Sequence, residues 1–205
     1  MNPIAIVDYG AGNLRSVQKA FQHLGHDARI VTDPRSLAGS SAVVFPGQGA
    51  APPAMAALKA NGMDEAIRGS IADGTPFFGV CLGLQLLLDF SEEAETPCLG
   101  IIPGRARRFS PGLKVPQIGW NSVSLKRSHP LFEGIGEEAY FYFVHSYYAD
   151  PEDESWVLGH TEYGVPFASV AAKGNVVATQ FHPEKSGPLG LRIYENFVRS
   201  FVEGT

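Results

Sequence analysis

The hydrophobic positions of the amino-terminal half form short apolar runs that alternate with helical repeats. Near-continuous apolar runs predict buried strands at 4–7, 28–31, 42–45 and 77–80. Between them, apolar residues recur at three- and four-residue spacings, which predicts helices at 14–24, 51–60 and 64–72. Each connection is long enough to join parallel strands. The pattern therefore predicts an α/β fold, a doubly wound and mostly parallel sheet with helices on both faces.

The carboxyl-terminal half shows a different pattern, in which short apolar strands are separated by Gly, Pro and Asn. Strands are predicted at 106–109, 121–125, 140–144, 156–160, 167–171 and 176–180, and a final helix at 189–201. Their hairpin-like spacing predicts mainly antiparallel strands that extend the first sheet or form a second, smaller one. We find no internal repeat, low-complexity segment or linker, and therefore expect one domain over residues 1–205.

A possible nucleophile lies between the strand at 77–80 and a helix predicted at 84–90. The segment Gly79-x-Cys81-x-Gly83 is the cysteine form of the nucleophile elbow, in which strain presents one side chain at a strand-to-helix turn. Glycines flank the nucleophile because neighbouring backbones come too close for a Cβ atom. A helix amino terminus also favours the reactive thiolate. The alternative is a buried cysteine in a glycine-rich turn.

A possible base follows the last predicted strand, in the segment His182-Pro183-Glu184. Proline keeps the residue before it extended, so His182 and Glu184 should project from the same face. A carboxylate on one ring nitrogen leaves the other free for a thiol, which is the arrangement of a base and its orienting group. A metal pair or a surface turn are the alternatives, but no third ligand has a suitable spacing. By default the other histidines are structural or solvated: His23, His26, His129, His145 and His160.

Two glycine-rich loops follow predicted strands. Gly47 and Gly49 flank Gln48 and would let its peptide flip, so that the N–H points into a cavity as an oxyanion donor. A plain loop into the next helix is the alternative. The pair Gly10-x-Gly12 lacks the third glycine of a dinucleotide fingerprint, where Arg15 stands instead, so it predicts a tight turn at the sheet edge.

Composition excludes several classes of protein. The 205 residues are 44% apolar and 18% charged, as in ordinary globular proteins, and the net charge of −5 argues against nucleic acid as the main partner. Two cysteines do not make a disulfide framework, and a usable thiol at Cys81 requires a reducing compartment, which suggests the cytoplasm. We see neither a signal peptide nor a transmembrane segment, and so expect no membrane association.

Three of these segments together resemble the class I (triad) glutamine amidotransferases. They are Pro46-Gly47-x-Gly49, Gly79-x-Cys81-x-Gly83-x-Gln85 and His182-Pro183-Glu184. Four finer segments resemble the glutaminase subunits of imidazole glycerol phosphate synthase, at 7–14, 116–121, 142–147 and 181–186. The similarity covers essentially the whole chain.

The resemblance implies a glutaminase mechanism without metal or other cofactor. Cys81 would attack the glutamine carboxamide and form a thioester, His182 would move the protons, and Glu184 would orient His182. The backbone N–H groups of Gln48 and Leu82 would hold the tetrahedral oxyanion. Five residues match family positions that hold the amino-acid end of glutamine: Gly49, Gln85, Glu93, Ser146 and Tyr147. Relatives more often have a small apolar residue at position 48, so Gln48 could alter how readily the loop flips.

The resemblance also implies a partner. Ammonia would pass to a separate cyclase chain, which makes imidazole glycerol phosphate and aminoimidazole carboxamide ribotide in histidine biosynthesis. The predicted glutaminase fold takes all 205 residues, so we expect no second domain that could use the ammonia. This independently indicates a separate partner chain and hence a heterodimer. Four residues match family positions at the cyclase interface: Asn13, Trp120, Tyr142 and Lys185. Core packing is the alternative for Trp120.

Other functions remain open at this point. One is a different triad glutaminase or a γ-glutamyl peptide hydrolase, which would need no partner. A glutaminase of vitamin B6 synthesis fits less well, because the segments at 116–121 and 142–147 do not suit it. A non-catalytic subunit of the same fold is disfavoured because all three triad positions are filled.

Overall fold

The apolar runs of the amino-terminal half form parallel strands with helices between them, as predicted. The computed structural model describes residues 2–10, 12–137 and 139–204, so Ala11 of the first glycine-rich loop lies outside the described residues. The strands are β1 (Ile4–Val7), β2 (Ala28–Val31), β3 (Ala42–Gly47) and β4 (Phe77–Cys81), in the order β2-β1-β3-β4. The helices between them are α1 (Leu14–His23), α2 (Ala51–Asn61) and α3 (Met63–Ala72).

The carboxyl-terminal half both extends this sheet and forms a second one. Its helices are α4 (Leu82–Leu87) and α5 (Gly187–Phe197), and its strands are β5 (Leu88–Ser91), β6 (Thr96–Pro97), β7 (Ile102–Arg108), β8 (Gln117–Ser122), β9 (Ser124–Leu125), β10 (Tyr140–His145), β11 (Tyr147–Pro151), β12 (Val157–Glu162), β13 (Pro166–Lys173) and β14 (Val176–Thr179). The main sheet continues from β4 as β14-β13-β11-β7-β5-β6, and β12 pairs with β13 and β9. β14 is parallel to β4, whereas β8 and β10 form a separate antiparallel pair.

Several predicted boundaries are wrong. The strand predicted at 106–109 is β7, which begins at Ile102 and ends at Arg108. The helix predicted at 84–90 begins earlier and ends at Leu87, because the following residues pair with β7 as strand β5. The strand predicted at 121–125 is divided between β8 and β9. The last helix ends at Phe197 and continues as a π-helical turn over Val198–Val202. The pattern does not predict strands β5, β6 and β11.

Two hydrophobic clusters lie on opposite faces of the main sheet. Alternate residues of β1 belong to different clusters, with Ile4 and Ile6 in one and Ala5 and Val7 in the other. The first cluster includes residues of α1 and α5, and the second includes residues of α2, α3 and α4. Helices therefore cover both faces, which makes the sheet doubly wound. No helix in the described ranges is long and apolar enough to cross a membrane.

Candidate active site

Cys81 lies at the carboxyl end of β4, where the strand turns directly into α4. Its backbone has φ 55° and ψ −107°, and a positive φ costs a non-glycine residue roughly 1–3 kcal/mol. The surrounding structure must hold this conformation in place, as the nucleophile elbow requires. The expectation that Cys81 stands at a strained strand-to-helix turn is therefore confirmed.

The glycines of the elbow are required by close backbone packing. A Cβ atom on Gly83 would lie 1.9 Å from the carbonyl oxygen of Phe45 in β3. A Cβ atom on Gly79 would lie 3.1 Å from the Cβ of Ala178 in β14. The absence of side chains at these positions lets α4 sit directly against the carboxyl ends of the neighbouring strands.

His182 and Glu184 lie at the same edge of the sheet, just beyond β14. His182 is extended, with φ −98° and ψ 101°, and a 3-10 turn over Pro183–Lys185 follows. The Nδ1–H of His182 donates to Glu184 Oε1 at 2.8 Å, and both side chains are only 2% exposed. The hydroxyl of Tyr194, on α5, donates to the other Glu184 oxygen at 3.3 Å. These contacts fix the orientation of the His182 ring. Glu184 occupies only Nδ1, so Nε2 is not engaged by the carboxylate.

The charges of the site favour a protonated His182. Burial lowers the pKa of His182, but attraction to Cys81 and the hydrogen bond to Glu184 outweigh burial and raise the pKa to about 10. His182 is therefore an imidazolium at neutral pH, placed between Glu184 and Cys81. A cation beside a cysteine is the environment that favours a thiolate nucleophile.

A cavity of about 360 Å³ opens over Cys81. It brings together the predicted nucleophile, base, oxyanion and substrate residues, while Glu184 stands behind the ring. The lining residues are Gln48, Gly49, Cys81, Leu82, Gln85, Glu93, Pro116, Val144, His145, Ser146, Tyr147, His182 and Lys185. The first and last of them, Gln48 and Lys185, are 137 residues apart in the sequence, so the fold assembles the site.

Glu93 is held in the cavity wall by the start of α2. Its Oε2 accepts a hydrogen bond from the backbone N–H of Ala51 at 2.7 Å, where the positive end of the helix dipole also favours a carboxylate. Glu93 was predicted to face a substrate ammonium, and its second oxygen is left for such a contact. The sequence did not predict the anchor on α2.

Tyr9 lies beneath the loop that carries Gln48. A Cβ atom on Gly47 would be 2.7 Å from the Tyr9 hydroxyl, and Gly49 adopts φ +97°, which favours glycine. Burial, reinforced by the negative charge of Cys81, raises the pKa of Tyr9, so its hydroxyl stays protonated. The loop is thus packed on a neutral, buried side chain.

The four predicted interface residues do not form one cluster. Trp120 on β8 is 56% exposed and packs edge-on against the ring of Tyr142 on β10, with centroids 6.1 Å apart. The alternative of core packing for Trp120 is therefore wrong. Lys185 lines the cavity, whereas Asn13 is exposed just before α1 and belongs to neither the cavity lining nor the β8–β10 pair.

Sequence reasoning missed two buried side chains of the site. His145 was expected to be structural or solvated, but it lines the cavity and donates from Nδ1 to the Tyr147 carbonyl at 2.7 Å. Burial lowers the pKa of His145 to about 4, so its ring is neutral. Gln180 is fully buried beside Cys81. Their only sequence signal is proximity to Ser146 and to His182.

The described residues offer no cluster of metal ligands. Within the part of the chain that the structure describes, no three His, Cys, Asp or Glu side chains are placed to hold a metal ion. Cys98, the second thiol, is buried and not disulfide-bonded, and burial raises its pKa to about 12.

Comparison with known proteins identifies close relatives over nearly the whole chain. The class-I glutamine amidotransferase family model matches residues 5–201. The chain is 47% identical over 197 residues to the imidazole glycerol phosphate synthase subunit HisH of Dehalococcoides mccartyi, which covers 96% of each chain. It is 50% identical over 196 residues to the HisH subunit of Herpetosiphon aurantiacus, which covers 95% of this chain and 93% of the relative.

Solved structures show the same fold at lower identity. The crystal structure of a glutamine amidotransferase has a TM-score of 0.76 at 22% identity and covers 98% of this chain and 99% of its own. PurLQS from Thermotoga maritima has a TM-score of 0.77 at 17% identity with the same coverage of both chains. The predicted fold class is confirmed. The chain belongs to the class-I glutamine amidotransferase family and, within it, to the HisH subunits of imidazole glycerol phosphate synthase.

Proposed function

We propose that the chain hydrolyses glutamine through a Cys81–His182–Glu184 triad and delivers the ammonia to a cyclase subunit. As a HisH-family protein it is a glutamine amidotransferase, the glutaminase subunit of imidazole glycerol phosphate synthase. The proposal concerns the roles of the residues and the partner. The observation that carries it is the buried His182–Glu184 pair, electrostatically coupled to a cysteine held in a strained elbow.

The protonated His182 beside Cys81 supports a thioester mechanism. The Cys81 thiolate attacks the carboxamide carbon, and a C–S bond forms as the carbonyl becomes a tetrahedral oxyanion. The His182 imidazolium then gives its proton to the leaving nitrogen, the C–N bond breaks, and ammonia departs. In the second half, water attacks the thioester while His182 takes its proton, and the thiolate leaves as glutamate forms. Glu184 keeps the ring oriented through Nδ1 in both halves.

The backbone around the elbow supports two oxyanion donors. The N–H of Leu82 is the first of α4, directly after the nucleophile, and the Gln48 peptide follows Gly47, which pairs with Cys81 across β3 and β4. Each such donor contributes about 10²–10³ in rate when it points at the oxyanion. Since glycines flank Gln48, a flip of its peptide would switch the donor on or off.

The rest of the cavity supports recognition of the amino-acid end of glutamine. The Glu93 carboxylate suits the ammonium group of glutamine, because the two can form a charge-assisted hydrogen bond. Glu93 is already held in place by Ala51, so it loses little side-chain freedom on binding. Gly49, Ser146 and Tyr147 also line the cavity, and Gln85 adds a carboxamide. We assign all five residues to substrate binding.

One face of the β8–β10 pair supports a docking site for the cyclase. Ile118, Trp120 and Tyr140 are 60%, 56% and 53% exposed. The pairing of Trp120 with Tyr142 and of Ile118 with Val144 places these residues on the same face. A contiguous exposed apolar face of this kind is typical of an interaction surface. Val144 belongs both to this pair of strands and to the cavity lining. Ammonia that leaves the cavity at Val144 would therefore emerge next to the bound cyclase.

Backbone contacts connect this face to the base. The N–H of His182 donates to the Tyr142 carbonyl at 3.0 Å, and the N–H of Tyr142 donates to the Ser186 hydroxyl at 3.0 Å. A partner that moves β10 would therefore move the triad loop. Asn13 is assigned to the interface by the resemblance alone, and Lys185 by the resemblance and its place at the cavity.

We further propose a single domain over residues 1–205 and a cytoplasmic location. Support for the single domain comes from the main sheet, which takes strands from both halves of the chain. The free thiols of Cys81 and Cys98 favour a reducing compartment.

The test is ammonia release from glutamine, by the chain alone and then with the cyclase and its nucleotide substrate. We expect little release by the isolated chain and strong release by the loaded complex. Cys81→Ala in the complex should abolish glutamine-dependent synthesis and leave ammonia-dependent synthesis intact. Equal release in both states would overturn the partner dependence, and γ-glutamyl peptides would then be tested as substrates.

A further inference from the structure

Gln180 is a fully buried side chain next to the nucleophile, between β14 and His182. Its Nε2 lies 3.7 Å from Cys81 Sγ. We propose that Gln180 is a positioning residue, whose carboxamide N–H donates to the Cys81 sulfur and holds it as a thiolate aimed into the cavity. The inference rests on the proposed role of Cys81 and adds a residue that the triad description does not contain.

The direction of the Gln180 carboxamide follows from its neighbours. Gln85 Nε2 lies 2.7 Å from the carbonyl of Tyr147, which only accepts hydrogen bonds, so this end of Gln85 must be its NH₂ group. The same NH₂ group lies 3.2 Å from the Gln180 oxygen, which must therefore be the acceptor. The NH₂ group of Gln180 consequently faces the sulfur, and a flipped carboxamide would place two donors against each other.

The contact has a chemical consequence for the thiol. A hydrogen bond to the charged form of a group lowers its pKa, so the Gln180 donor favours the thiolate. The other polar neighbour that hydrogen-bonds Sγ is the Val144 carbonyl at 3.9 Å, which interacts favourably with a protonated thiol only. The Gln180 donor therefore favours the thiolate, whereas the Val144 carbonyl favours the protonated thiol. The hydrogen bond also restrains the sulfur beside His182.

The backbone holds Gln180 rigidly enough for this role. Its N–H donates to the Ser169 carbonyl in β13 at 2.9 Å. Gln180 directly follows β14 and lies two residues before His182, so the same segment positions both side chains. Gln85, which supports the Gln180 carboxamide, also lines the cavity. The position of the sulfur is therefore linked to the substrate pocket.

The test is the pH dependence of Cys81 alkylation by iodoacetamide in the full-length chain. In Gln180→Met, which keeps the side-chain length and removes the donor, we expect about tenfold slower alkylation at neutral pH. The midpoint of the pH profile should rise by about one unit. In the complex with cyclase, kcat for glutamine should fall about tenfold with little change in KM, because Gln85 keeps its bond to Tyr147.

The matched control is Ser169→Ala. It removes a buried hydroxyl next to Gln180, one that has no hydrogen-bond partner among the described residues and does not bond to the sulfur. Its alkylation profile should match that of wild type. Cys98 is replaced by Ser in every protein so that only one thiol reacts. If Gln180→Met alkylates with the wild-type profile, the proposal is wrong.

A second measurement covers the case in which Gln180→Met does not fold. In the wild-type chain, the side-chain amide protons of Gln180 are followed by NMR through the thiol titration. We expect one amide proton to titrate with Cys81 and the titration to vanish in Cys81→Ala. An amide that does not respond would overturn the proposal. Neither alkylation nor NMR requires glutamine turnover, so they separate this inference from a failure of the proposed function.

Discussion

Gly83→Ala adds only one methyl group, yet we expect it to disrupt the active site. Its added Cβ would lie 1.9 Å from the Phe45 carbonyl oxygen, and even a tight contact begins only near 3.0 Å. Since both atoms are held by backbone, β3 and α4 must separate by about 1 Å, and a misplacement of that size costs about 10²-fold in rate. Overpacking should also lower the free energy of unfolding by about 1–3 kcal/mol.

The assay compares glutamine-dependent and ammonia-dependent synthesis in the complex, together with the unfolding temperature of the free chain. We expect about a hundredfold loss of the first activity, retention of the second, and a lower unfolding temperature. Gly69→Ala is the matched control, because nothing lies within 4 Å of its added Cβ inside α3. That substitution should stabilise the chain by roughly 0.5–1 kcal/mol. A Gly83→Ala enzyme with wild-type turnover would refute the close approach at the elbow.

Three further predictions concern the base, the buried histidine and the partner face. His182→Ala should reduce glutamine turnover more than Glu184→Gln, since an orienting group contributes less than the base; equal losses would argue against these roles. The pKa of His145 is lowered to about 4 from 6.5, so wild-type stability should fall by roughly 3 kcal/mol as the pH drops through this window. His145→Gln should reduce that fall in acid unfolding curves, and an unchanged pH dependence would contradict the assignment. Trp120→Ala should weaken cyclase binding by at least about 2 kcal/mol in calorimetry. The control Leu125→Ala, at an exposed residue of β9, should not; equal effects would exclude the β8–β10 face.

Local patterns predicted the parallel half of the fold accurately. The bounds of β1 and β2 agree with the structure, because each is a short apolar run next to clear turn residues. Long-range pairing decided the remainder. Leu88–Ser91 continues a run of leucines that suggests a longer helix, yet it becomes strand β5 because β7 offers it a partner.

The amino-acid sequence by itself determined which residues carry the chemistry: a cysteine between spaced glycines, and a histidine and a carboxylate around a proline. These are local requirements of backbone geometry, so they are visible in short segments. Only the tertiary structure decided that Gln180 faces the sulfur, that Glu93 is anchored on α2, and that Trp120 is exposed. Gln180 and Cys81 are 99 residues apart. Such contacts depend on the order and register of strands, because packing brings side chains together through the whole fold rather than along the chain.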